Sequence, residues 1–264
     1  MFGAMSLNHD RRGAGEPLVL IHGIGSRWQV WQPILDALAA EREVIAVDLP
    51  GFGGSPVDGT TPSVEGFAEQ LERFFAEVGV ERPHVAGNSL GGGIALELAR
   101  RGAVRSATAV SPVGFWTAAE RAYCQRSLAA GRAAARAMGR FVPAAMGNPV
   151  TRTLALAQLV GKPWRMPPAD AVGSLRGLAN APGFDAALAA FTGHVFHDPG
   201  ELDEVPATVA WGDRDALLIY GRQAPRARRM LPRARHVTLA GCGHVPFYDD
   251  PAQVATVVLA GSDG

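Results

Sequence analysis

Cysteine is nearly absent from this chain. Only Cys124 and Cys242 occur, far apart, so no disulfide framework staples the fold, and a reducing, cytoplasmic setting is expected. Lysine is rarer still: Lys162 stands alone and arginine carries nearly all the positive charge. That imbalance reads as a GC-rich coding bias, not as chemistry. Neither sign of charge dominates, since 25 Lys+Arg face 25 Asp+Glu. A neutral chain has no general attraction to nucleic acid or to acidic membranes. No apolar run reaches the length of a membrane span. The opening MFGAMSLNHDRRG lacks the apolar core of a signal peptide. Neither nucleic acid nor membrane is therefore an expected partner.

What is present is apolar. Hydrophobic residues make up 47% and charged residues 19% of 264 positions, enough for a large core and too apolar for bulk disorder. The length suits one large domain, or one domain with an insertion.

The stretch PHVAGNSLGGGIALELARR, residues 83–101, organises the rest. A short apolar run ends at Gly87-Asn88-Ser89-Leu90-Gly91, and helical spacing of Ile94, Leu96 and Leu98 follows directly. A strand that turns into a helix around G-x-S-x-G is a nucleophile elbow, which lifts the serine hydroxyl out of the sheet. Gly87 and Gly91 are needed where strand and helix cross closely. The Leu90 amide falls at a helix N-terminus, where it can face a developing negative charge.

Apolar runs at residues 17–21, 44–47, 83–88 and 104–110 read as buried parallel strands, alternating with helices near 29–40, 63–78 and 90–101. An edge strand is expected around residues 5–9, and Ser63 is a helix N-cap. The alternation predicts an α/β fold: a mostly parallel central sheet with helices on both faces. From 112 to 203 the rhythm changes to alanine- and arginine-rich helical segments broken by prolines. Strands resume at 207–211 and 236–239, with helices near 220–231 and 251–259. The expected organisation is a core of residues 1–111 and 204–264 with an inserted helical cap over 112–203.

Open α/β sheets bind ligands at the carboxyl ends of their strands. His22-Gly23-Ile24-Gly25, Ser89, Asp213 with Asp215, and His244 fall at such ends. An activated serine needs a base, and the base an orienting acid. The order Ser89, then Asp213 or Asp215, then His244 matches one known arrangement of these three groups.

These residues carry a resemblance. HGIG, DLPGFGGS, GNSLGG, WGDRD and GCGHVPFYDDP, in this order, resemble the successive motifs of the α/β-hydrolase superfamily, in its cap-bearing esterase and C–C-bond hydrolase branch. The likeness covers nearly the whole chain outside 112–203. It implies the α/β-hydrolase fold, the acid on Asp215 through W-G-x-x-D, and an oxyanion hole from the Ile24 and Leu90 amides. It implies no cofactor and no metal, and a small ester-like substrate. Ser111-Pro112, where some relatives carry an acid, agrees with Asp215. The first strand of the family looks truncated or missing here.

The resemblance implies a serine hydrolase acting on a carboxylic ester or lactone. A C–C-bond hydrolase, a cofactor-free haloperoxidase, an acyltransferase and a non-catalytic binding protein stay open. Val245 stands where many C–C-bond hydrolases have tryptophan, and Ser89 stands where dehalogenases and epoxide hydrolases have aspartate. A homodimer is compatible with the sequence. Trp28, Phe115, Trp116, Phe141 and Phe247, with Met138 and Met146, are candidates for the pocket wall. His22 is expected to tie the oxyanion loop down, His194 or His197 to lie near the cap exit, and Cys242 to pack as a small residue. Arg132, Arg136 and Arg140 form a stripe at helical spacing, either a solvated face or a mouth for anionic substrates.

Overall fold

In a computed structural model of the chain, residues 7–196, 202 and 204–263 are described. Seven strands among them form one sheet: β1 (His9–Arg12), β2 (Pro17–Ile21), β3 (Glu43–Val47), β4 (His84–Asn88), β5 (Ser106–Val110), β6 (Ala207–Gly212) and β7 (Arg235–Leu239). Their order is β1-β3-β2-β4-β5-β6-β7. β1 runs antiparallel to β3, and every other pairing is parallel. The described sheet begins at His9 with a four-residue edge strand. Of the expected edge strand at 5–9, residues 5 and 6 lie outside the described residues, and Leu7 and Asn8 precede β1.

β2 and β3 read as unbroken apolar runs because both faces are covered. Val19, Ile21, Ile45 and Val47 point into one core, Leu18, Leu20, Val44 and Ala46 into the other. The first core is closed by α2 (Val64–Glu77) and α3 (Leu90–Arg100), the second by α1 (Gln32–Ala39) and α10 (Pro251–Ala260). Ser63 caps α2, its Oγ accepting from the Gly66 amide at 3.1 Å. Phe67, Leu71 and Phe74 of α2 are buried, each contributing roughly 1.5–3 kcal/mol. The predicted helix at 29–40 is two elements: a 3-10 turn, Trp28–Trp31, and then α1. Pro33 lacks an N–H and sits in the first turn of α1, where none is needed.

Between β5 and β6 the described residues form α4 (Ala118–Met138), α5 (Val142–Gly147), α6 (Pro149–Leu156), α7 (Pro168–Asn180) and α8 (Phe184–Ala190), and no strand. Thr117 and Glu120 build a reciprocal capping box at the start of α4. α9 (Tyr220–Met230) lies between β6 and β7. No helix among the described residues is long and apolar enough to cross a membrane.

His194, beyond α8, meets Glu65 of α2 at 3.4 Å. The hydrogen bond from His194 holds the Glu65 carboxyl down at about 2. A depressed carboxylate adds stability above its unfolded value, and that stability disappears as pH falls through the folded one. Glu65→Gln should therefore flatten the loss of stability between the ordinary carboxylate range and pH ~2. Urea midpoints across that interval check it; parallel curves for variant and parent would refute the linkage. His197 lies outside the described residues.

Candidate active site

Ser89 sits between β4 and α3 with φ 58° and ψ −114°, a region that side chains other than hydrogen seldom enter. The crossing that forces this is tight. A Cβ on Gly87 would lie 1.9 Å from the Gly91 carbonyl oxygen, and one on Gly91 would lie 2.1 Å from that of Ile21. The Ser89 amide donates to Val110 O at 2.9 Å, and its carbonyl accepts from Gly93 and Val113. Leu90 is the first residue of α3, so its amide has no intrahelical acceptor.

The loop after β2 lies against this turn. A Cβ on Gly23 would sit 3.1 Å from Ser89 Cβ, so this loop packs directly on the elbow. His22 pins the loop. Its Nδ1–H donates to Gly23 O at 2.7 Å and its Nε2 accepts from the Leu49 amide at 3.0 Å. Burial pushes its pKa down, against the pull of Asp48, so the ring serves as a neutral tie. Asp48 accepts from the Trp28 and Gly54 amides and from Asn8 Nδ2, and so holds three loops together.

His244 follows β7 and is buried. Its Nδ1–H donates to Asp215 Oδ2 at 2.8 Å. Asp215, also buried, accepts from the Leu217 and Leu218 amides on Oδ1 and from Trp211 Nε1 on Oδ2. Asp213 is exposed and accepts from the Gly241 amide, which leaves it no part in this cluster.

Ser89, His244 and the Gly23-Ile24 turn line one cavity of about 100 Å³. Its walls are Leu128 of α4, Leu156 of α6, Leu159, Val160, Met166, and Leu175 and Leu178 of α7. His244 is the one titratable side chain with a nitrogen on that wall, beside the phenol of Tyr248. The pocket suits an uncharged, apolar group next to the serine.

None of the five expected aromatics lines this cavity. Phe115 is core, stacked on Phe196 and edge-on to Trp211. Trp116 packs on Phe191 and donates its Nε1–H to His194 O. Phe247 is fully buried against Trp31. Phe141 is exposed, with Arg140 over its ring. Trp28 is half-buried and packs against the second core. Met146 is likewise core. Aromatics filled the structural interior, and leucines from helix faces built the pocket. The arginine stripe divides too. Arg132 is buried, bonded to Ala181 O, paired with Asp185 and seated over Phe184. Arg136 bonds Ala179 O. Both tie α4 to the end of α7 instead of forming a mouth. Cys124 and Cys242 are free, buried thiols, each pushed up to about 12 by burial.

Two residues of the site escaped the sequence reading. Asn88 Nδ2 donates to His244 O at 2.9 Å and to Val110 O at 3.1 Å, tying the histidine loop to the sheet. Asp249, fully buried, accepts from the amides of Gly161 and Lys162, between α6 and α7, and from Gly243, next to His244. The Val245 amide donates to Leu159 O at 2.7 Å. The helical segment and the histidine loop are thus latched together. Both side chains lie inside the quoted motifs GNSLGG and GCGHVPFYDDP, which was the available signal. Asp249→Ala would leave three amides without an acceptor, at roughly 1–3 kcal/mol each. A urea-denaturation loss of about 3 kcal/mol or more is expected, and an unchanged midpoint would disprove the latch.

A model of the alpha/beta hydrolase family matches residues 18–257. The chain is similar to the dihydrolipoyllysine-residue acetyltransferase component of the acetoin cleaving system of Cupriavidus necator, 41% identical over 125 residues, covering 45% of this chain and 33% of that protein. It thus spans about a third of that relative's length. It is 30% identical over 267 residues to the pimeloyl-[acyl-carrier protein] methyl ester esterase of Aeromonas hydrophila, covering 96% and 98% of the two chains. Among solved structures it resembles a bacterial membrane phospholipase A, with a TM-score of 0.76 and 26% identity over 98% of this chain and 84% of that one. The chain belongs to the alpha/beta hydrolase family.

Proposed function

We propose that the protein is a serine hydrolase cleaving a carboxylic ester whose group next to the scissile bond is small and apolar. The observation that carries this is one cavity lined by a strained elbow serine and by a histidine that is hydrogen-bonded to a buried carboxylate. Ser89 Oγ attacks the carbonyl carbon as His244 Nε2 takes its proton. Asp215 holds the Nδ1–H tautomer and stabilises the imidazolium. The Ile24 and Leu90 amides receive the oxyanion, each such donor being worth ~3 kcal/mol. His244 returns the proton to the leaving alcohol, and water then resolves the acyl-enzyme. The helices of residues 112–203 act as the cap that keeps bulk water from this step. The methyl ester esterase of similar length supports the ester reading.

A fluorophosphonate probe tests it. Stoichiometric labelling, mapped by peptide mass spectrometry to Ser89, is expected. Folded protein that stays unlabelled, or is labelled elsewhere, would overturn the proposal.

A further inference from the structure

Beside the apolar cavity lies a polar neck, which shares Gly25, Ser26, Val30, Ser174 and Tyr248 with it. The neck leads to an outer cavity of about 620 Å³. Arg27, Gln29, Gly173 and Gly177 border both the neck and the outer cavity. The Arg27 guanidinium is half-buried and has no ion pair or hydrogen bond among the described residues. Gln29 Oε1 is buried and also without a partner. Two acids lie nearby, Asp48 and Asp170, and the first is occupied. Asp48 accepts three hydrogen bonds. Asp170 lines the same neck and, with burial, pushes the Tyr248 hydroxyl up.

The room for Arg27 is built into α7. A Cβ on Gly173 would lie 2.4 Å from Arg27 Nη2. Gly177, one turn on, faces the Gly25 carbonyl at 3.5 Å from its own would-be Cβ. A glycine inside a helix costs roughly 0.5–1 kcal/mol against alanine; at 173 the missing Cβ leaves room for the guanidinium, whereas at 177 a Cβ would make only ordinary contact. Arg176 on the same helix adds a second cation to the outer cavity. A half-buried guanidinium with free donors is a carboxylate receptor.

We propose that Arg27 binds a carboxylate at the far end of the substrate, whose apolar body occupies the catalytic cavity, so that half-esters of dicarboxylic acids are preferred substrates. This rests on the ester-hydrolase reading. It adds a charged recognition point to a pocket that itself suits only apolar chains.

The test compares monomethyl with dimethyl esters of succinic, glutaric and adipic acids. For at least one chain length the wild type should favour the half-ester in kcat/KM. Arg27→Gln should lower that half-ester to diester ratio about tenfold or more, mainly through KM. Arg27→Lys should restore part of it. Gly173→Ala, which favours the helix but fills the space of the guanidinium, should lower it as well. A ratio unmoved by Arg27→Gln, or a wild type that prefers the diester at every length, would refute the subsite. If neither ester is turned over, the hydrolase reading fails by itself. The subsite is then judged on Ser89→Ala protein. Thermal stabilisation by monomethyl adipate beyond that by dimethyl adipate, lost on adding Arg27→Gln, supports it; no difference refutes it.

Discussion

Ser89→Ala should lower kcat on the order of 10⁵–10⁶-fold, with the chain still folded. The hydroxyl is the proposed nucleophile, and Ser26 and Ser174, the other serines on the cavity wall, lie outside the elbow. Alanine keeps the Cβ and with it the strain of φ 58° and ψ −114°. Its stability should therefore match the parent closely. Ser89→Gly differs instructively. It is equally inactive, but it removes the Cβ from a backbone region that disfavours one. Ser89→Gly should raise stability by roughly 1–2 kcal/mol. Ester hydrolysis beside urea denaturation of the three proteins checks both halves. Substantial turnover by Ser89→Ala would remove Ser89 from the mechanism, and a destabilised glycine variant would show that the elbow holds no strain.

Asp215→Asn is the second large effect, with kcat falling by about 10⁴-fold. Asp215 Oδ1 faces two amides, Leu217 and Leu218, at 2.9 and 2.8 Å. An asparagine keeps its oxygen there and turns its NH₂ toward His244. The imidazole Nδ1 must then accept, which moves the proton to Nε2. A ring protonated at Nε2 cannot receive the serine proton. The expected result is a folded protein with the wrong tautomer, visible in the imidazole nitrogen shifts. Asp213→Asn should leave turnover within a few-fold, because that carboxylate only holds the Gly241 amide. Equal losses at the two positions would contradict the assignment of the acid.

The elbow was legible because its information is local. Gly87, Ser89 and Gly91 are two residues apart, and the clash that demands glycine arises within one strand–helix turn. The buried parallel strands were equally legible, since covering both faces leaves only apolar side chains along β2 and from Val44 to Val47 of β3. Boundaries slipped where local chemistry was subtle, as where a 3-10 turn precedes Gln32.

The pocket wall was not legible. Leu128, Leu156, Leu175 and Leu178 come from α4, α6 and α7, and nothing in their neighbours marks them as different from core leucines. Which face of a helix looks into a cavity depends on how helices far apart in sequence pack together. The same holds for Arg132, which its helical spacing put on a solvated face or a mouth and tertiary packing placed over the Phe184 ring.

By itself the sequence determined the buried strands and the turn that presents Ser89, because each depends on residues within a few positions of one another, and it carried the serine, acid and histidine as separate short motifs in chain order. The resemblance put the acid on Asp215 and the structure brings that carboxylate to His244, but only the tertiary structure decided that Asp249 latches two distant loops and that Arg27 faces a cavity without a partner. Those outcomes are distances between segments remote in the chain, and they are settled by the packing of whole elements.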